Sequence, residues 1–138
     1  MKSKNIGHFD YEFKNKEDDF HALIEEIVAN YELIIFATPV FWYSMSGLLK
    51  VFFDRLSDCL MIRKDLGRQL KGKEMAVLTC GFDKKLKPGF HMPFKETAKY
   101  LSINYVADVH GWVNKKAIPE IVKKRLDSFV EEFEGPDS

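Results

Sequence analysis

Three consecutive aromatic residues stand where a short apolar segment of the chain ends. Residues 32–38 are apolar on both faces, which is typical of an internal strand of a parallel sheet covered by helices. Such sheets bind ligands at the carboxyl ends of their strands. Pro39 has no N–H to donate and is expected to stop the strand, so Phe41, Trp42 and Tyr43 would lie just beyond the sheet. Aromatic rings in that position suit a flat ligand.

A second segment of interest follows the next apolar strand. Residues 75–80 predict a strand, Gly81 breaks it, and residues 82–92 form a loop dense in turn-forming residues, which predicts mobility. A small residue followed by glycine lets a backbone approach a ligand closely. Strands also end in glycine for purely structural reasons, so both interpretations of Gly81 stay open.

Hydrolytic and metal chemistry find little support in the sequence. The four histidines are scattered, without the i,i+4 pairing of a helical zinc site: His8, His21, His91 and His110. Ser44 and Ser46 stand at a strand-to-helix turn, but the Gly-x-Ser-x-Gly elbow of hydrolases is absent around them. The sequence therefore predicts a binding site, with no metal ligand and no catalytic side chain.

The rest of the chain alternates between helix and strand without repeats, which indicates one α/β domain. The predicted helices are residues 17–30, 46–60, 93–101 and 118–133, and the predicted strands are residues 32–38, 75–80 and 105–113. Residues 4–16 fit either an extended strand or a packed loop. Residues 61–73 are basic and are interpreted as a solvated connector.

Composition excludes several classes of protein. With 138 residues, 46% of them hydrophobic, the chain can bury a real core. Lys plus Arg and Asp plus Glu both total 21, so the chain has no net positive charge that would attract nucleic acid or an anionic membrane. No apolar run approaches the roughly 20 residues of a membrane span. Neither a signal-peptide pattern nor a cysteine framework occurs, and we expect a cytoplasmic protein whose Cys59 and Cys80 are reduced.

The segment Ala37–Ser46, continued through residues 49–55, resembles the second flavin loop and following helix of the NAD(P)H-dependent FMN reductases. The resemblance runs from about Lys4 to the last helix. It implies a flavodoxin-like α/β fold, a three-layer parallel sheet with helices on both faces, with FMN as cofactor and NAD(P)H as co-substrate. The cofactor-binding residues that it implies are Pro39, Val40, Phe41, Trp42, Tyr43 and Ser44, and in the second loop Thr79, Cys80, Gly81 and Phe82.

The resemblance also implies which parts of the family fold the sequence lacks. Family members open with a strand, a phosphate-binding loop, a helix and a second strand. Residues 1–138 are therefore expected to form a single, incomplete flavodoxin-like domain with about three core strands and weak affinity for FMN. A start of the chain downstream of the true one is a further alternative. Should a phosphate site exist, Arg63, Arg68, Lys84 and Lys85 are the first candidates, and the basic run 61–73 could contact a nicotinamide phosphate.

Two surfaces predict self-association. In the flavodoxin order 2-1-3-4-5 the strand 32–38 would lie beside the missing first strand, leaving an apolar edge that residues 4–13, a second copy or a separate polypeptide must cover. The helix 46–60 is apolar on nearly every side, so it is expected to pack both on the sheet and against another chain. The alternative for Phe41, Trp42 and Tyr43 is that they are core or dimer-interface aromatics. We expect a homodimer through this helix and the 32–38 edge. Asp54 and Arg55 are interpreted as structural residues with partners elsewhere.

These observations leave two functions of different classes. The first is a flavin-binding oxidoreductase of the NAD(P)H-dependent FMN or quinone reductase type, in which the flavin performs the hydride chemistry and the protein binds and orients it. The second is a half-domain without catalysis that acts as an assembly or interaction module. Whether the chain holds flavin decides between them.

Overall fold

Three parallel strands form one sheet. The computed structural model describes residues 3–135, with the strands β1 (Leu33–Pro39), β2 (Glu74–Gly81) and β3 (Asn104–Trp112) in the order β1-β2-β3. The helices are α1 (Asp19–Asn30), α2 (Gly47–Arg55), α3 (Asp58–Met61), α4 (Lys64–Leu70), α5 (Met92–Leu101) and α6 (Glu120–Glu131). The predicted α/β fold with three parallel core strands is therefore confirmed. None of the helices within residues 3–135 is long and apolar enough to cross a membrane.

Helices cover both faces of the sheet. On one face the ring of Phe36 packs against Phe53 of α2 and Phe94 of α5, with ring centroids 4.9 and 6.5 Å apart. On the other face α6 packs on β3, where a Cβ added at Gly111 would lie only 3.0 Å from Val122. Side chains alternate between faces along a strand, and the sheet register places Phe36 and Gly111 on opposite sides. The three layers that we expected are present.

The predicted helix 46–60 is two helices, α2 and α3. Most of its apolar residues face the protein's own core, since Leu49, Phe52, Phe53 and Leu56 are all buried, whereas Leu48 and Leu60 are exposed. Between the two helices Leu56 and Ser57 keep right-handed helical φ and ψ, with hydrogen bonds to the residue three positions back, and Arg55 contacts Asp58 at i,i+3 spacing. The nearly continuous apolar surface of residues 46–60 is thus largely explained by packing within one chain.

Residues 61–73 are not a simple connector, and that interpretation is wrong. They contain α4, whose Leu66 and Leu70 are buried at i,i+4 spacing among basic residues that obscure the apolar stripe. The helix packs so closely on α3 that a Cβ at Gly67 would collide with the carbonyl of Cys59. Pro39, expected to stop the strand, is itself the last residue of β1.

The segment before α1 is a packed loop of turns, so the alternative of an extended strand is wrong. Within residues 3–135, β1 pairs only with β2, and residues 4–13 do not pair with its other edge. Ile35, on that strand, is 45% exposed. A second copy and a separate polypeptide remain as the candidates to cover this edge.

A buried guanidinium attaches the loop before α1 to three helices. Arg55 is 1% exposed and donates to Asp18 at 2.6 Å and to Asp58 at 3.0 Å. It also donates to the carbonyl oxygens of Gly7 and Asn15, at 3.0 and 3.2 Å. Asp18 in turn caps α1, and Asp58 begins α3. The prediction that Arg55 is structural, with partners away from Asp54, is supported by every one of these contacts.

Two opposing effects act on the ionisation of Asp18. Burial alone would raise the pKa of its carboxyl group, but hydrogen bonds from Arg55 and from the amides of Gly7 and Phe20 outweigh burial and lower the pKa. A carboxylate with a lowered pKa in the folded state stabilises the protein above its unfolded pKa of about 3.9, and that stability is lost as the pH falls through the folded value.

We expect Arg55→Met to lower the free energy of unfolding by about 3–5 kcal/mol, because it leaves two carboxylates buried without their cation. Chemical denaturation at neutral pH measures the loss. The matched control is Lys50→Met on the same helix, whose exposed ion pair with Asp54 is worth no more than about 0.5 kcal/mol.

The same variant tests the source of the acid sensitivity. Without Arg55 the pKa of Asp18 is lowered less, because only the amides of Gly7 and Phe20 still oppose burial. Acidification from about pH 5 toward about pH 3 should therefore cost Arg55→Met less stability than it costs the parent protein. Equal pH profiles for the two proteins would contradict the assignment.

Candidate functional site

The aromatic residues after β1 form a tight turn with an unusual backbone. Phe41 and Ser44 exchange two hydrogen bonds, Phe41 N–H to Ser44 O at 2.9 Å and Ser44 N–H to Phe41 O at 3.1 Å. The two central residues both have positive φ, 49° at Trp42 and 67° at Tyr43. This is the pattern of a type I′ turn, which strongly favours Asn-Gly. Bulky side chains there cost of order 1–3 kcal/mol each.

The turn projects its rings away from the core. Trp42 is 92% exposed and Tyr43 is 61% exposed. Within residues 3–135 their two N–H groups donate no hydrogen bond to the protein, because only the outer pair of the turn is bonded. Strain and exposed aromatic surface at one place, without a structural gain, indicate a functional site.

The base of the turn is held firmly. Val40 N–H donates to Cys80 O at 2.8 Å, which continues the β1–β2 pairing beyond Pro39. Ser46 N–H donates to the hydroxyl of buried Thr38 at 3.0 Å, and Ser46 Oγ then caps α2 by accepting from Leu49 N–H. A rigid strand and a capped helix thus fix both ends of the strained turn.

A cleft of about 230 Å³ separates this turn from the loop after β2. It lies at the carboxyl end of the sheet, and its wall is partly aromatic and partly basic. The lining residues are Val40, Trp42, Tyr43, Gly81, Phe82, Asp83, Lys85, Leu86, Lys87, Phe90 and His110. A Cβ at Gly81 would be in ordinary van der Waals contact with Val40, at 3.4 Å, and with His110, at 3.8 Å, so this glycine lies directly between two residues of the cleft wall.

The structure brings together half of the ten predicted site residues. Those that line the cleft are Val40, Trp42, Tyr43, Gly81 and Phe82. Phe41 and Ser44 form the base of the turn, and Pro39 and Cys80 are paired with each other across β1 and β2. Thr79 is buried and bonds His110.

Strand β3 contributes a cleft residue that the sequence pattern does not single out. His110 lies near the carboxyl end of that strand and lines the cleft. The loop after β2 adds further wall residues, which are Asp83, Lys85, Leu86, Lys87 and Phe90. The rule that ligands meet the carboxyl ends of parallel strands could have indicated His110, since β3 is predicted correctly. The sequence alone gives it little weight, because no second histidine stands beside it.

The basic residues of 61–73 lie elsewhere. Lys64, Arg68 and Lys71 line a groove with Ser102, near the amino ends of β2 and β3, a strand length of roughly 25 Å from the cleft. Side-chain hydrogen bonds with Asp65 and Glu25 raise the pKa of Arg63 and hold its charge on the surface. The cations that do line the cleft are Lys85 and Lys87.

The two cysteines differ in their surroundings. Cys59 is 1% exposed, and burial, followed by the charge of Asp58, raises the pKa of its thiol to about 11. Cys80 is exposed at the end of β2. Within residues 3–135 no group of three or more His, Cys, Asp or Glu side chains is arranged to hold a metal ion.

A parallel sheet with helices on both faces and an aromatic cleft at the carboxyl ends of its strands defines the class of flavodoxin-like α/β proteins. The family model described as NADPH-dependent FMN reductase matches residues 1–88. The chain belongs to this family, as the resemblance of Ala37–Ser46 indicated.

Individual relatives agree with the family. The chain is 29% identical over 116 residues to a putative NAD(P)H-dependent FMN-containing oxidoreductase, YwqN, of Bacillus subtilis, a match that covers 81% of this chain and 64% of that protein. It is 32% identical over 94 residues to the glutathione-regulated potassium-efflux system ancillary protein KefF of an Enterobacter species, covering 62% of this chain and 53% of that protein. The chain thus spans between half and two thirds of these curated relatives.

Solved structures show the same fold. The Trp repressor binding protein of Bacillus subtilis superposes with a TM-score of 0.68 at 28% identity, over 80% of this chain and 72% of that one. The general stress protein 14 of Treponema denticola, solved in complex with FMN, superposes with a TM-score of 0.60 at 18% identity, over 86% of this chain and 74% of that one. The predicted flavodoxin-like fold is confirmed.

The strain in the aromatic turn is directly measurable. Replacing Trp42 and Tyr43 together by Asn-Gly should raise the free energy of unfolding by about 1–3 kcal/mol, because these residues accept positive φ readily. The control replaces both with alanine, which removes the rings but keeps a Cβ and therefore most of the strain. Denaturation curves that coincide for the Asn-Gly and Ala-Ala variants would show that the turn is not strained.

Proposed function

We propose that the cleft binds the isoalloxazine ring of FMN and that the chain acts as an NAD(P)H-dependent oxidoreductase of the flavin or quinone reductase type. The observation that carries this proposal is the exposed pair Trp42 and Tyr43, held in a strained turn beside a cleft at the carboxyl ends of parallel strands. Family membership supports the same activity.

The residues of the cleft fit a flavin. Trp42, Tyr43 and Phe82 offer apolar faces to a planar ring, and Gly81 lets it approach the backbone. The N–H groups of Trp42 and Tyr43 suit the ring's carbonyl oxygens, and Lys85 and Lys87 suit anionic groups of FMN or of NAD(P)H. A bound flavin would accept hydride from NAD(P)H, while this chain's own groups bind the ring, orient it and exclude water.

Titration of FMN tests the proposal. Trp42→Ala should weaken binding about 5- to 150-fold, since stacking of a base on an aromatic ring is worth about 1–3 kcal/mol. The control is Tyr100→Ala, a similarly exposed aromatic at the far end of the sheet. Absence of flavin binding by the parent protein, or equal affinities for the two variants, would contradict the site.

Two companion measurements sharpen the result. Riboflavin lacks only the phosphate of FMN, so the ratio of the two affinities measures what the phosphate contributes at this site. Oxidation of NADPH and of NADH, followed by absorbance with a quinone or free flavin as acceptor, then tests the activity and its choice of donor.

We also propose that the chain forms a homodimer through the free edge of β1 together with α2. On β1, Ile35 is 45% exposed, and on α2, Leu48 is 42% exposed while the other apolar residues are largely buried. Within residues 3–135 this edge pairs with no further strand, and an apolar, unpaired edge invites pairing with the same edge of a second copy. The two free cysteines support a reducing, cytoplasmic location.

Light scattering at micromolar concentration should therefore report a dimer. Ile35→Lys should shift it to monomer, because a lysine on an edge strand opposes pairing. Val106→Lys, at a similarly exposed apolar residue of β3, should leave it dimeric. A monomeric parent protein would contradict the interface. A dimer that binds no flavin would favour the second function, an assembly module.

A further inference from the structure

We propose that His110 is a positioning residue that holds the loop after β2 against the cleft. This inference rests on the proposed flavin site, because the position of this loop sets the width of the cleft that would hold the flavin. The loop carries the side chains that face the aromatic turn, among them Phe82, Lys85, Leu86 and Lys87. It follows a strand that ends at Gly81, and the next helix begins only at Met92.

Two hydrogen bonds fix the imidazole of His110. Its Nε2 lies 2.8 Å from the carbonyl oxygen of Asp83, and its Nδ1 lies 2.8 Å from the hydroxyl of Thr79. A carbonyl oxygen can only accept, so Nε2 carries the hydrogen and donates it to Asp83. In the neutral ring Nδ1 is then an acceptor, and the hydroxyl of Thr79 donates to it.

Thr79 connects this contact to the rigid sheet. It is 1% exposed within β2, and its hydroxyl is also 3.4 Å from the carbonyl of Val109. The hydroxyl has one hydrogen, so it donates either to the ring or to that carbonyl. If Nδ1 takes up a proton, Thr79 accepts from it and donates to Val109 instead. The bond from Nε2 to Asp83 is kept in both charge states.

Loop 82–87 is otherwise weakly attached. Phe82 is 86% exposed, and the residues from Asp83 to Lys85 are exposed. Asp83 O is the loop atom that His110 holds, three residues before Leu86, which packs against the core. The loop therefore has two parts. Residues 82–86, which we call the held part, are fixed at Asp83 and at Leu86, and the remainder leads to α5.

A pair of near-isosteric variants separates the two hydrogen bonds. His110→Gln places an amide N–H₂ near the position of Nε2, so it keeps the donor to Asp83, and Thr79 turns to Val109. His110→Asn is shorter, keeps an acceptor for Thr79 and loses the reach to Asp83. Both variants lose the same ring, so a mere packing defect would affect both.

Limited trypsin digestion measures the holding of the loop without any ligand. The bonds after Lys84 and Lys85 lie in the held part. Cleavage there should be up to about tenfold faster in His110→Asn than in the parent protein, and within about twofold of it in His110→Gln, because cleavage follows the population of the open loop. Equal rates in the two variants would overturn the proposal.

Flavin titration then links the loop to the cleft. The apparent Kd for FMN should be about threefold or more higher than the parent value in His110→Asn and close to the parent value in His110→Gln. The reason is that the apparent Kd rises as the fraction of protein with the loop in its binding-competent position falls. If the parent protein binds no FMN but digestion separates the variants, the role of His110 stands and the proposed function fails. If FMN binds and digestion does not separate them, the role of His110 fails alone.

Discussion

The buried guanidinium of Arg55 is the interaction on which the rest of the structure depends. It stands at the end of α2, and the carboxylates and carbonyls around it come from the loop before α1, from the cap of α1 and from the first turn of α3. Removing one partner of a buried ion pair is strongly destabilising, because the other charge is left uncompensated. Here the pair holds the end of α2 against α1 and α3, and α2 begins just after the aromatic turn.

The two walls of the cleft are built on different principles. The wall after β1 is fixed at both ends of its turn, by a sheet hydrogen bond before the turn and by a capped helix after it. That rigidity allows two aromatic residues to stand at positive φ, which an unsupported loop would relax. The wall after β2 has no comparable frame and depends on contacts with neighbouring side chains. Backbone strain is therefore found on one side of the cleft, and an exposed loop on the other.

Local sequence pattern is enough to predict a large part of the fold. The three apolar strands and the position of Trp42 and Tyr43 beyond the sheet are predictable, because periodicity and turn chemistry determine them. Prediction fails where a contact between distant residues decides the outcome. Helix α4 is not predicted because only two leucines stand among many charged residues. Its burial depends on close packing against α3, which the local sequence does not show. The contacts of Arg55 likewise join residues that are far apart in the sequence, because Gly7, Asn15 and Asp18 precede α1.

His110 escapes prediction from sequence for a geometric reason of the same kind. Its neighbours Thr79 and Asp83 are about 30 residues away in sequence and become neighbours only through the parallel register of β2 and β3. That register pairs Thr79 with His110 directly, so the imidazole lies beside the strand end from which the loop departs. Each of the three strands therefore contributes a different element at its carboxyl end: β1 a rigid aromatic turn, β2 a basic loop, and β3 the side chain that fixes the distance between them. A site assembled in this way needs the full sheet register, because a shift of one residue would turn His110 to the opposite face.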